Sequence, residues 1–151
     1  MSKPAAMQRL GLAISWLRTC AGLLWRLEAK SKGAVLEGDS RFEGRPIITV
    51  EPGSRMIFGD GLRLNSATRS NPVACFQPCV LRTLAPGAEL ILEKDVGLSG
   101  AVVCAGKSIR VGEGTIAGSG AMILDNDFHA LDPEQGWQNE YVANARPIRI
   151  G

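Results

Sequence analysis

An apolar residue recurs every six positions through the middle of this 151-residue chain, and this spacing constrains the fold more than any other feature. A six-residue period is typical of a parallel β-helix, in which each unit forms a short strand and a turn, and three units close a coil of about 18 residues. The recurring side chain points inward and stacks on its equivalents in neighbouring coils. The period therefore predicts a parallel β-helix, with near-complete burial of Leu64, Leu92, Leu98, Cys104, Val111, Ala117 and Ile123.

Three longer segments also align with one another, namely TVEPGSRMIFGDGL, TLAPGAELILEKDV and CAGKSIRVGEGT. Matching Phe58, Leu92 and Val111 gives offsets of 34 and 19 residues. We interpret the offset of 19 as one coil plus one residue, and the offset of 34 as two coils less two residues. A β-sandwich would instead require sustained alternation of apolar and polar residues with hairpin turns, which the stretch TIAGSGAM lacks.

The N-terminal segment has a different pattern, with apolar residues at helical spacing. It predicts an amphipathic helix between about residues 5 and 29, in a segment 1–33 that precedes an all-β domain over 34–151. Arg9, Arg18 and Arg26 interrupt the apolar run, so the helix is too polar to cross a bilayer. Two roles remain open for its wide apolar face: it caps the domain or docks on a partner subunit, or it lies in a membrane interface.

Composition narrows the classes of function. The net charge is only +2 and no run of Lys or Arg stands out, so we do not expect a nucleic-acid partner. Four scattered cysteines without a recognisable secretion signal indicate reduced thiols in the cytoplasm. The stretch CFQPC is spaced one residue too widely for the usual zinc knuckle, so no metal is expected there.

Two segments do not fit the hexapeptide pattern. Residues 69–81 contain two prolines and predict a loop or bent strand that interrupts the coils. Residues 131–144, LDPEQGWQNEYVAN, have turn and polar composition and predict an excursion from the coils.

The units VGEGTI, AGSGAM and ILDNDF resemble the hexapeptide repeat of left-handed β-helix acyltransferases. Residues 99–133 look more narrowly like the sugar O-acetyltransferases of surface-polysaccharide gene clusters and the maltose and galactoside acetyltransferases, and DNDFH is the most specific part. The likeness covers residues 48–151. It implies a left-handed β-helix, a homotrimer with active sites between subunits, acetyl-CoA as the acyl donor and a saccharide as the acceptor.

The resemblance implies that His129, the only histidine of the chain, is the general base. A sugar hydroxyl is a poor nucleophile, and neutral imidazole is suited to take its proton as it attacks the thioester. Asp125 and Asp127 are predicted either to orient the imidazole or to be solvated turn residues. A γ-class carbonic anhydrase on the same fold needs three histidines on zinc, which one histidine excludes.

Acceptor binding is less well defined by the sequence. Where galactoside-type enzymes carry an acceptor-binding Asn, this chain has Ser99 and Gly100, so a hydroxyl takes the place of the amide. Trp137 and Tyr141 are predicted either to stack on a sugar ring or to pin their loop.

Family members continue beyond a turn like ARPIRIG with further coils, so we expect the CoA-binding half to lie outside this chain and Ile148 and Ile150 to lie at an uncovered edge. The alternative function is a non-catalytic β-helix scaffold. We expect the protein in the cytoplasm, at the inner face of the membrane if the helix binds lipid.

Overall fold

The computed structural model describes the backbone of residues 5–151 and the side chains of residues 14–151 except 15 and 18. Within this range the chain forms one long helix, α1 (Ala5–Ser31), followed by short strands and a single 3-10 turn, Thr68–Ser70. The strands are β1 (Val35–Leu36), β2 (Ser40–Glu43), β3 (Ile47–Thr49), β4 (Arg55–Phe58), β5 (Leu62–Asn65), β6 (Val80–Thr83), β7 (Glu89–Leu92), β8 (Gly97–Ser99), β9 (Val102–Ala105), β10 (Ser108–Val111), β11 (Ile116–Ala117), β12 (Met122–Leu124), β13 (His129–Asp132), β14 (Gly136–Asn139) and β15 (Ile148–Ile150).

All strands except β13 and β14 form three parallel sheets, in which each of β1 to β9 pairs with the third strand after it and β10 pairs with β15. Face A has the order β1-β4-β7-β10-β15, face B has β11-β8-β5-β2, and face C has β12-β9-β6-β3. The chain passes through A, B and C in turn, so three strands make one coil. The predicted parallel, mostly β architecture with one N-terminal helix is confirmed.

The core lies between the three faces and consists of stacked apolar side chains. On face A, Phe58 pairs with Leu92 and Leu92 with Val111, and all three are fully buried. Leu64 and Leu98 form the equivalent buried pair on face B. Burial is thus confirmed for these positions. The two predicted core residues of the last coil, Ala117 and Ile123, are only partly buried against the core, because β11 and β12 are the end strands of faces B and C among the described residues.

Cys104 is buried as predicted, but it does not stack in the core. Successive side chains of a strand point to opposite sides, and in β9 the core positions are Val103 and Ala105. Cys104 therefore lies on the outer side, in the ladder between Arg82 and Leu124. The six-residue count from Leu98 is one residue out of register on this face.

The offset of 34 residues between Phe58 and Leu92 is one coil and not two, so that interpretation is wrong. The extra length is an insertion between β5 and β6, which contains the 3-10 turn. The offset of 19 between Leu92 and Val111 is one coil, as predicted. The predicted loop at 69–81 is confirmed up to Cys79, after which β6 begins.

Helix α1 packs on β2, the end strand of face B. Ala29 belongs to the core cluster, and Trp25 packs against it. A Cβ on Gly22 would lie 2.8 Å from the carbonyl oxygen of Phe42, so a larger residue there would push the helix off the strand. Part of the predicted amphipathic pattern, at Gln8, Leu10, Leu12, Ser15 and Arg18, falls outside the described side chains. No helix in the described part of the chain is long and apolar enough to span a membrane.

Candidate active site

The chain leaves face C through the turn at residues 125–128, and Asp125 anchors this turn. Its carboxylate is buried and accepts hydrogen bonds from the backbone N–H groups of Gly106 at 2.6 Å and of Lys107 and Ser108 at 2.8 Å each. The Asn126 side-chain amide donates a fourth bond, at 2.9 Å. Asp125 therefore ties the turn to the connection between β9 and β10.

Local backbone geometry then turns the chain outward. The Phe128 N–H donates to the side-chain oxygen of Asn126 at 3.0 Å, closing an Asx turn. Phe128 itself has φ of 62°, in the left-handed region that non-glycine residues seldom adopt. The residue that follows is His129, the first of β13. A left-handed backbone conformation in a bulky residue such as Phe128 persists only where surrounding contacts hold it in place.

Contacts with Tyr141 and Glu140 hold Phe128 in this conformation. Its ring packs edge to face against Tyr141, with centroids 6.0 Å apart, and its carbonyl oxygen accepts the Glu140 N–H at 2.9 Å. Beneath them, a Cβ on Gly106 would lie 1.8 Å from the carbonyl oxygen of Tyr141, so this close approach requires glycine. The base of the hairpin is therefore fixed from both strands.

The predicted excursion at 131–144 is an antiparallel hairpin, β13–β14, in which His129 pairs with Asn139 and Leu131 with Trp137. The side chains of His129 and Asp127 are exposed, and Trp137 is 72% exposed. These three residues line an open concavity of about 650 Å³. An imidazole, a carboxylate and an indole thus share one accessible surface.

This arrangement permits proton transfer beside a planar apolar surface. The imidazole of His129 is exposed, so a group that enters the concavity can reach its ring nitrogens. An indole face matches the apolar face of a sugar ring, and a nearby carboxylate accepts hydrogen bonds from hydroxyl groups. The core cluster between the three faces consists of apolar side chains, so it does not bring together an imidazole, a carboxylate and an indole.

Two predicted site residues have other roles. Asp125 does not orient the imidazole, because backbone N–H groups engage both of its oxygens. Ser99 is buried on face B and does not line the concavity, and its hydroxyl oxygen accepts a hydrogen bond from the Asn65 side chain at 3.0 Å. Asp127, His129 and Trp137 line the concavity, whereas Tyr141 is half-buried and its ring packs against Phe128.

The cysteines take no part in this site. All four are free, and burial raises the pKa of the Cys79 and Cys104 thiols, which keeps both protonated near neutral pH. Among the residues that the structure describes, no group of three or more His, Cys, Asp and Glu side chains is placed to hold a metal ion.

Sequence reasoning missed three residues that build the site, namely Gly106, Asn126 and Phe128. Asn126 carried a usable signal, because Asn inside an acidic turn sequence favours an Asx turn. Gly106 and Phe128 carried none, since their roles depend on contacts with Tyr141, 35 and 13 residues further along the chain.

Comparison of the chain with protein-family models, with curated proteins and with solved structures found no match to any of them.

Proposed function

We propose that this protein is an O-acetyltransferase built on a left-handed parallel β-helix, which moves acetyl from acetyl-CoA to a sugar hydroxyl in surface-polysaccharide biosynthesis. The observation that carries the proposal is the exposed imidazole of His129 beside Asp127 and Trp137, on a hairpin whose base is fixed by Asp125 and Phe128. The family likeness of the hexapeptides supplies the left hand of the coil, the donor and the acceptor class.

In this proposal His129 takes the proton of the sugar hydroxyl while the hydroxyl oxygen attacks the thioester carbonyl carbon. A new C–O bond forms, the C–S bond breaks, and the imidazolium returns the proton to the departing CoA sulfur. Asp127 lines the same concavity and receives hydrogen bonds from sugar hydroxyl groups. Trp137 holds the sugar ring by stacking.

The proposed assembly is a homotrimer, and face C supports it. One of its two outward ladders is apolar and runs through Ile47, Val80, Val102 and Met122, whereas the other contains Thr49 and Arg82. Ile47 is 42% exposed and Met122 is 64% exposed, at the two end strands of this face, and Val80 and Val102 between them are half-buried. The hairpin with His129 follows this face directly, so a neighbouring subunit docked there would form the second wall of the concavity. In solution without detergent we expect a mass of three times 16.1 kDa by light scattering.

We place the reaction in the cytoplasm, where acetyl-CoA is available and where four free thiols remain reduced. The test is transfer of mass-labelled acetyl from acetyl-CoA to a panel of sugars by the protein that includes the CoA-binding coils implied by the family likeness, together with calorimetric titration of CoA. Labelled sugar ester, formed only with protein and donor both present, is the expected product.

Binding of CoA without formation of a sugar ester would contradict the proposed reaction and support the proposed CoA-binding site. If the protein neither binds CoA nor transfers acetyl, the result favours the alternative, a β-helix scaffold that retains the histidine without using it.

A further inference from the structure

Helix α1 leaves a row of large apolar side chains uncovered. We call this row the apolar stripe, and it consists of Trp16, Leu17, Leu23, Leu24 and Leu27. Their exposed fractions run from 50% for Leu23 to 67% for Trp16. At 100° per residue the five positions share one side of the helix. Stacked apolar groups of this size in water mark an interaction surface.

The stripe is not a poorly packed inner face, because the opposite side of α1 makes the contact with the β domain. Gly22, Trp25 and Ala29 face the first coil. The guanidinium of Arg26 reaches the carbonyl oxygen of Gly38 at 3.4 Å and the Asp39 carboxylate at 3.7 Å on the same side. The helix therefore caps the coils with its smaller and more polar side and turns its larger side chains to the outside.

Basic residues are concentrated in the N-terminal segment that contains α1. Six of the 17 basic residues but one of the 15 acidic residues lie in positions 1–33. This segment therefore carries +5, while residues 34–151 carry −3. The one acid, Glu28, forms an ion pair with Lys32 at 2.8 Å and accepts two bonds from the Arg45 guanidinium at 2.7 and 2.8 Å, so its charge is compensated. Lys30, at the margin of the stripe, is exposed.

We propose that the apolar stripe binds the surface of an anionic lipid bilayer, with α1 lying in the interface and the β domain standing off the membrane. A Trp and Leu face with the exposed Lys30 at its margin, in a segment that carries +5, fits the acyl boundary and the phosphate headgroups together. Every basic residue near the surface adds attraction to anionic lipid. The proposal does not depend on the acetyl-transfer reaction.

A second copy of this helix is the other occupant that an apolar stripe suits. Two segments of +5 would face one another in such a pair and repel. An anionic bilayer instead complements the charge and the apolar surface at once. We therefore commit to the membrane and leave self-association as an outcome of the test.

The experiment is co-sedimentation of the full chain with vesicles of phosphatidylcholine alone and of phosphatidylcholine with phosphatidylglycerol in equal parts, at low and high salt. The proposal predicts at least about tenfold stronger partitioning into the anionic vesicles at low salt, lost when salt screens the charges. The double variant Leu24→Asn, Leu27→Asn should weaken partitioning on the order of a hundredfold, because two Leu side chains leave the acyl boundary.

The matched control is Ile116→Asn, which removes an apolar side chain of 82% exposure far from α1 in sequence and should leave partitioning unchanged. Circular dichroism and the unfolding midpoint establish that each variant is folded. Equal partitioning into both vesicle types, or no effect of the double variant, would overturn the proposal. A protein that ignores vesicles and loses mass in light scattering on the double substitution would show self-association through the stripe and overturn it as well.

Discussion

The middle coils and the hairpin that carries His129 differ in how much apolar surface they bury. In face A, Leu90 and Leu92 are fully buried between strands on both sides. In the hairpin, Leu131 and Trp137 pair across the strands yet are 64% and 72% exposed. A two-stranded hairpin cannot supply its own stability.

The hairpin is therefore held by contacts at its base rather than by a core. The Asp125 carboxylate joins this base to the coils, and the Phe128–Tyr141 ring pair closes it. This division leaves the exposed surface of the hairpin free for a ligand, while the coils carry the stability. It predicts that substitutions in the two regions affect different measurements.

The largest effect on stability is expected from Leu90→Ala. Leu90 pairs with Met56 and Ile109 in the core, so its truncation leaves a cavity and should lower the free energy of unfolding by about 2–5 kcal/mol. Leu131→Ala, the matched change in the hairpin, should alter it by less than about 0.5 kcal/mol. Urea unfolding of both variants measures the difference, and equal losses would contradict the division between the regions.

The next effect is expected from Asp125→Ala at the junction. The change leaves the N–H groups of Gly106, Lys107 and Ser108 without their acceptor, and should cost about 2–3 kcal/mol of unfolding free energy. Asp127→Ala, on the exposed side of the same turn, is the control and should cost less than about 0.5 kcal/mol. If the two variants unfold at the same urea concentration, Asp125 does not anchor the turn.

Much of the coil architecture could be predicted from the six-residue period, because each coil repeats the same burial requirement. The interpretation of the offset of 34 is wrong because one coil with an inserted loop is about as long as two coils. The inserted loop has no repeat of its own that would reveal it in the sequence. The inward position predicted for Cys104 is wrong because the core positions of β9 are Val103 and Ala105, five and seven residues after Leu98 rather than six. A count along the chain cannot follow such shifts.

The candidate site was predicted in part. The DNDFH motif singled out His129 and Asp127 and the polar loop singled out Trp137, and these three residues line one concavity, while the roles proposed for them stay predictions. The anchoring role of Asp125 did not follow, because its partners are backbone groups and any residue type supplies those. Ser99 was placed by analogy with an acceptor-binding Asn, and the sequence held no sign that Asn65 is its neighbour across β5 and β8.

A smaller effect is expected from Trp137→Ala, measured on acetyl transfer to whichever sugar of the panel reacts fastest. Loss of ring stacking should raise the KM for the sugar roughly fivefold to tenfold with little change in kcat. Trp137→Phe keeps an aromatic ring and should recover most of the affinity. An unchanged KM in the Ala variant would assign Trp137 to the hairpin alone.

The smallest effect is expected where α1 meets the coils. Hydrogen bonds from Arg45, and then Lys32, lower the pKa of the Glu28 carboxyl from 4.5 to about 2. A carboxyl with a lowered pKa in the folded state contributes stability that is present above pH 4.5 and is lost as the pH falls toward 2. Glu28→Gln should therefore reduce the fall in urea midpoint between pH 5 and pH 2, and Arg45→Gln should reproduce this in part. An identical fall in wild type and Glu28→Gln would contradict the contact.

The most direct measurement of the proposed chemistry is the rate of acetyl transfer by His129→Ala, with and without added imidazole. If His129 is the base, kcat falls by about 10²- to 10⁴-fold while the KM for acetyl-CoA changes little, because proton removal acts on the transition state. Free imidazole should restore part of the rate in the variant and leave the wild type unaffected. A His129→Ala enzyme with the wild-type rate would contradict the assignment of His129 as the base.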